Sequence, residues 1–169
     1  LADSPSLQDR LHGTGILRQE IAARLGCLGY VGRASGVDHD ARRDHRYAPY
    51  DQFPVQGVTA GDGDVAARLQ VRLAEIDASL NVLDRLLERL PEGEVQAPWR
   101  TAGGAEGFGI VEAWRGEIVC HLRFDAHGRI ARFFPRDPSW FTWPALEHLI
   151  RDNIVPEFPV CNKSVNASY

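Results

Sequence analysis

Between residues 69 and 90 the large aliphatic side chains fall at Leu69, Leu73, Ile76, Leu80, Leu83, Leu87 and Leu90, separated by 4, 3, 4, 3, 4 and 3 residues. That alternation keeps one stripe of an α-helix apolar, because two turns take close to seven residues. It predicts one long helix over 64–90, started by Asp62 or Asp64 as a cap and ended by Pro91 and Gly93. A stripe of this length needs a neighbouring helix, and nowhere else does the chain repeat the pattern. Part of the fold is therefore expected upstream. The start at Leu1 and the lack of methionine point the same way.

The 169 residues amount to one ordinary domain or a large piece of one, and a hydrophobic share of 44% is enough for a real core. Charged residues make up 25%, which argues against wholesale disorder. The net charge of −4 argues against a general nucleic-acid binder. No apolar run reaches the roughly 18 residues needed to span a bilayer, and no secretory leader is visible. Cys27, Cys120 and Cys161 are widely spaced, which reads as free, reduced, mostly buried thiols.

Around the long helix, residues 6–13 read as a helix end, with Leu7 and Leu11 four apart and Gly13 as its stop. In 14–26, Ile21, Ala22 and Leu25 share the face of a short helix that Gly26 closes. Residues 30–53 show no period. They carry Arg33, Asp38, Asp40, Arg42, Arg43, Asp44 and Arg46, either as a solvated charged loop or as an ion-paired loop held against something. The run at 52–58 reads as a short strand. After the long helix the period changes to two. Strands are predicted at 107–114, 117–124 and 129–134, with turns at Arg115-Gly116 and Asp125 to Gly128. A last helix is expected from Trp143 to Asp152, broken by Pro156 and Pro159. The fold class is α+β.

Residue chemistry alone yields no catalytic constellation. The six histidines form neither HxH nor HExxH, and no nucleotide-binding glycine loop or nucleophile elbow is present. His127 sits in a tight turn and is expected at the surface. Arg115, in Glu-Ala-Trp-Arg-Gly, is either an exposed turn residue or a cation aimed from a rigid hairpin into a pocket.

Five stretches nevertheless carry a resemblance: "RLHGTGIL", "GRASGVDHDARRDHRYAPY", "GDVAARLQVRLAEIDASL", "EAWRGE" and "WPALEHLIRDNIV". In this order they resemble the large subunit of membrane-bound nickel–iron hydrogenases of the formate-hydrogenlyase and hydrogenase-4 type. They are also similar to the quinone-pocket subunit of respiratory complex I, a nickel-free relative. The likeness runs from about Asp9 onward. Residues 1–169 then form the C-terminal part of one such hydrogenase-large-subunit-like domain.

By this resemblance Arg115 matches the arginine that stands above the metal site in hydrogenases, with Trp114 in place of a proline. The family histidine five residues on is not matched, since Cys120 holds that offset. The terminal aspartate–proline–cysteine–x–x–cysteine motif should begin at Asn166. Ser168 stands at its first cysteine, and a hydroxyl is a poor ligand for a soft metal. Cys161 is seven residues too early. The resemblance implies a nickel-free cavity lined by Arg115 and braced by Arg33, Asp38, Arg42 and Arg43, holding a quinone-like group. It implies no cofactor bound by this chain and no metal. An iron–sulfur cluster is expected in a small partner subunit, and membrane subunits are expected to associate indirectly. It places the chain among NAD- and quinone-linked oxidoreductase subunits, cytoplasmic and peripheral on the inner face of the membrane. Two alternatives are a true hydrogenase with an altered ligand set and a non-catalytic structural or assembly module. The isolated fragment is expected to dimerise through its apolar stripe.

Overall fold

The leucine spacing does produce a long helix. The computed structural model describes residues 4–98 and 102–168, and its dominant element is α5, Val65–Leu87. Asp64 caps it by accepting from the Ala67 amide at 2.7 Å. Four shorter helices precede it: α1 (Pro5–Leu11), α2 (Gln19–Leu25), α3 (Gly29–Ala34) and α4 (Ala41–Asp44). Gly26 takes a left-handed conformation and closes α2, as its position predicts. Next come three antiparallel strands in the order β1 (Glu106–Ala113), β2 (Gly116–Phe124) and β3 (Ile130–Arg136). Helix α6 (Ser139–Leu149), a 3₁₀ turn (Val155–Glu157) and α7 (Phe158–Val165) complete an α+β architecture.

Four local expectations need correction. Residues 30–53 contain α3 and α4, whose few turns are too short for a period to show. Residues 52–58 do not form a strand. Phe53 and Val55 pack against Val82 of α5, and among the described residues no neighbouring strand pairs with them. The hairpin turn is Trp114-Arg115, because Ala113 pairs with Gly116. The last helix begins at Ser139, and a further helix follows it. Pro156 and Pro159 sit in first turns, where the missing amide costs nothing, so they start elements instead of ending one.

The core sits where α2, α3, α5, α6 and α7 meet. Leu17, Ala22, Cys27, Tyr30, Val31, Val71, Leu149, Cys161 and Val165 are all buried there. Helix α5 presents Val65, Ala67, Arg68, Val71 and Val82 to the rest of the molecule. This face lies about one residue, some 100°, around from the leucine stripe. Leu73, Ile76, Leu80, Leu83 and Leu87 therefore stay 52–66% exposed. Both outer strands are largely exposed as well. The turn end of the β1–β2 hairpin, by contrast, is driven against the start of α3. Gly29 has φ +61°, and a Cβ there would lie 2.2 Å from the Arg115 carbonyl carbon. Gly116 has φ +125°, and its Cβ would meet Leu28 at 2.9 Å. The glycine after Arg115 is thus required by a close backbone crossing.

Candidate functional site

Two arrangements meet at this crossing. The first is a network of buried charge. Arg33 of α3 is 2% exposed. Its Nε donates to Glu75 Oε1 of α5 at 2.6 Å, and its Nη1 donates to Glu112 Oε1 of β1 at 3.0 Å and to the His39 carbonyl at 2.9 Å. Glu112 Oε2 accepts the Ala41 amide at 3.0 Å, and the Glu112 amide donates to the Tyr47 hydroxyl. Arg42 grips Asp40 with both arms of its fork, at 2.9 and 2.6 Å. Burial alone would lower the Arg33 pKa, but Glu75 and Glu112 outweigh it and the net direction is up. Burial pushes the Glu75 carboxyl up against the pull of Arg33. For Asp40, burial pulls upward too, and Arg42 with Arg33 wins, leaving the carboxyl below its ordinary value.

Beside the network lies a cavity of about 470 Å³ between α5 and the hairpin. Its wall carries the cations Arg33, Arg42 and Arg72, the carboxylates Glu75 and Glu112, and the indole of Trp114. Ile76 and Leu80 of the exposed stripe add apolar surface. Trp114 stacks on Tyr30 with centroids 5.1 Å apart, and the Arg72 guanidinium lies 4.7 Å from the Trp114 centroid.

The second arrangement holds the C-terminal segment by its backbone. The Tyr30 hydroxyl donates to the carbonyls of Val165 (2.5 Å) and Ser164 (3.0 Å). Arg115 Nε donates to the Asn166 carbonyl at 2.5 Å. Trp143 Nε1 donates to the Ser168 carbonyl, and the Ser168 amide donates to Ser139 Oγ, each at 2.9 Å. Fully buried Arg68 donates to Ser164 Oγ and to the carbonyls of Gly63 and Gly15. Burial lowers its pKa to about 10. Burial likewise lifts the Tyr30 phenol to about 12, so it remains a donor.

The predicted residues thus separate. Arg33 and Arg42 line the cavity. Arg43 and Asp38 pair with each other at 2.7 Å in the α4 region, more exposed than Arg33. Arg115 is one residue beyond the cavity wall at Trp114 and engages Asn166. Ser168 is tied down through its main chain. Tyr30, Arg68, Arg72, Glu75 and Glu112 escaped the sequence reading. Only the Glu-x-x-Arg frame around Arg115 hinted at Glu112. Among the described residues no cysteine joins a group of three metal-ligating side chains. Cys27, in the connection between α2 and α3, and Cys161, in α7, are both buried, and burial raises the thiol of Cys27 to about 11. The described residues of this chain therefore gather no thiolate cluster.

The arginine of the hairpin turn meets the tail at Asn166, where the resemblance places the start of the family's terminal motif. The family model for "Respiratory-chain NADH dehydrogenase, 49 Kd subunit" matches residues 1–104. The chain belongs to this family. The chain is also similar to Formate hydrogenlyase subunit 5 of Escherichia coli (strain K12), 31% identical over all of this chain and 30% of that protein. The Carbon monoxide-induced hydrogenase of Rhodospirillum rubrum is 29% identical over 96% of this chain and 45% of its own length. An NADH-quinone oxidoreductase subunit of Dehalococcoides mccartyi is 34% identical over 83% of the chain and 39% of its own length. The chain therefore spans less than half the length of these relatives. Among the described residues no helix is long and apolar enough to cross a membrane.

Proposed function

We propose that this chain forms the C-terminal part of a redox subunit in a complex-I-like or hydrogenase-4-like membrane-associated assembly, that its branch is nickel-free, and that its cavity takes a quinone-like group. The observation that carries the reading is the tail. Arg115 binds the Asn166 main chain, and Ser168, where the first ligand cysteine would stand, offers no thiolate. The cavity supports it, because a planar head group finds the exposed part of the Trp114 indole beside the cation of Arg72, which can donate to a carbonyl oxygen. In this role Arg115 is a positioning residue that holds the tail and fixes the turn carrying Trp114. A small iron–sulfur subunit delivers electrons, membrane subunits anchor the assembly indirectly, and the chain lies on the cytoplasmic face. The exposed stripe of α5 takes the remaining helices of the subunit, or a second copy when the fragment is alone.

Elemental analysis of the full-length protein with its native partners tests this. Iron without nickel is the expected result. Nickel near one equivalent would overturn it in favour of a hydrogenase with an altered ligand set, a reading that the likeness to the Carbon monoxide-induced hydrogenase supports. Unchanged turnover of the intact complex on replacing Trp114 or Arg115 by alanine would instead indicate a non-catalytic module.

A further inference from the structure

Away from the cavity and the tail, His39, His45 and Glu117 converge where the α4 segment meets the start of β2. One ligating atom from each lies within 4.8 Å of the others. We propose that these three side chains form a binding site for one zinc-class divalent ion, which fastens the β1–β2 hairpin to the α4 segment. The proposal does not depend on the redox reading above.

The geometry argues for it in three steps. First, Nε2 of His39 and Nε2 of His45 both approach the same oxygen, Glu117 Oε2, at 3.4 and 3.8 Å. In tetrahedral coordination with metal–ligand bonds of about 2.0–2.2 Å, neighbouring ligand atoms stand roughly 3.4 Å apart. Two edges of the triangle are therefore near the required length. His45 is at the end of α4 with its side chain 53% exposed, so it can close the third. Second, the surrounding groups orient the ligands. The other ring nitrogen of His39, Nδ1, faces Asp44 Oδ2 at 3.2 Å. A proton held there leaves Nε2 with its lone pair free, which is the carboxylate–histidine–metal arrangement. Arg136 Nη2 donates to Glu117 Oε1 at 2.8 Å, so that Oε2 is left as a single, oriented ligand. Third, the ligand types fit. Two imidazoles and one carboxylate form a borderline set that suits zinc, and the exposed side at His45 leaves the fourth position to water.

An imidazolium at His39, held between Asp44 and Glu117, satisfies the same distances without any metal, and the experiment separates the two. The full-length chain, stripped with a chelator, is titrated with Co²⁺ as a spectroscopic probe and with Zn²⁺ by calorimetry. The expected result is one saturable equivalent per chain, with the visible d–d absorption of Co²⁺ bound by fewer than six ligands, reversed by Zn²⁺. Asp44→Asn should weaken binding by about 10–100-fold, and His39→Ala or His45→Ala by at least about 100-fold. Zn²⁺ should also raise the melting temperature of the wild type and not of His45→Ala. His45 is exposed, so its metal-free variant should melt close to the wild type, which guards against simple unfolding. Absence of a saturable equivalent, or undiminished binding in either histidine variant, overturns the proposal.

Discussion

Arg115 Nε lies 2.5 Å from the Asn166 carbonyl oxygen, across 51 residues of sequence. Asn166 is the left-handed cap of α7, at φ 42°. The hairpin turn and the C-terminal segment thus meet through a charge-assisted bond at a chain reversal. Such bonds contribute about 1.5–3 kcal/mol when shielded, and the half-buried setting of Arg115 puts this one near the lower end. Arg115→Ala should cost about 1–2 kcal/mol. It should also speed amide exchange over residues 166–168 while leaving α5 protected. Unchanged exchange in the tail would show that Tyr30 and Trp143 hold it without Arg115.

Arg33→Ala should be far more severe. It leaves the Glu75 and Glu112 carboxylates buried without their shared cation, a loss of about 3–5 kcal/mol. Arg33→Lys should recover only part, because an ammonium cannot span Glu75, Glu112 and the His39 carbonyl in one plane. Denaturant midpoints of the two variants decide the order.

Gly29→Ala tests the backbone crossing. The added methyl meets the Arg115 main chain at 2.2 Å, and the φ of +61° is unfavourable for alanine. A loss on the order of 3 kcal/mol is expected. Gly109→Ala in β1, with nothing within 4 Å, should be close to neutral. Equal melting temperatures for both variants would refute the crossing.

Acid should loosen the α4 region first. Hydrogen bonds from Arg43, then from the Asp40 amide, hold the Asp44 carboxyl down to about 2. Asp40 is depressed as well. A depressed folded pKa contributes stability that is complete above the unfolded value of about 3.9 and is lost as pH falls toward 2. Asp44→Asn should flatten the stability profile between about pH 4 and pH 2. The raised Glu75 acts in the opposite sense and in a different window: it costs stability as pH rises above the unfolded glutamate value of about 4.3, which leaves the slope below pH 4 to the aspartates.

The exposed stripe should make the isolated polypeptide self-associate. Replacing Leu80 and Leu83, 53% and 52% exposed, by glutamate should yield a monomer in sedimentation without lowering the melting temperature of the remaining fold. A wild-type fragment that stays monomeric at high concentration would remove the stripe as a contact surface.

Much of the local structure was legible because it depends on residues near one another in the chain. The 4–3 spacing makes α5, Asp64 caps it, Gly26 ends α2, and the change to a period of two announces the sheet. Helices α3 and α4 were not legible, since a single turn buried by distant contacts leaves no periodic trace. Pro156 and Pro159 misled for a related reason: a proline ends a helix in its interior and begins one in its first turn, and the start of each element was not marked by a period.

From the sequence alone come the helical and strand periods, the fold class, the family motifs and the unpartnered leucine stripe. The tertiary structure decided the rest. It turned the face of Arg68 and Val71 inward and left Leu73 and Leu80 outside, because the neighbouring helices dock about 100° away from the stripe. It brought Arg33 to Glu75 and Glu112, 42 and 79 residues away, and His39 to Glu117, 78 residues away. A buried charge must find its partner in space, and the distance along the chain plays no part in that requirement.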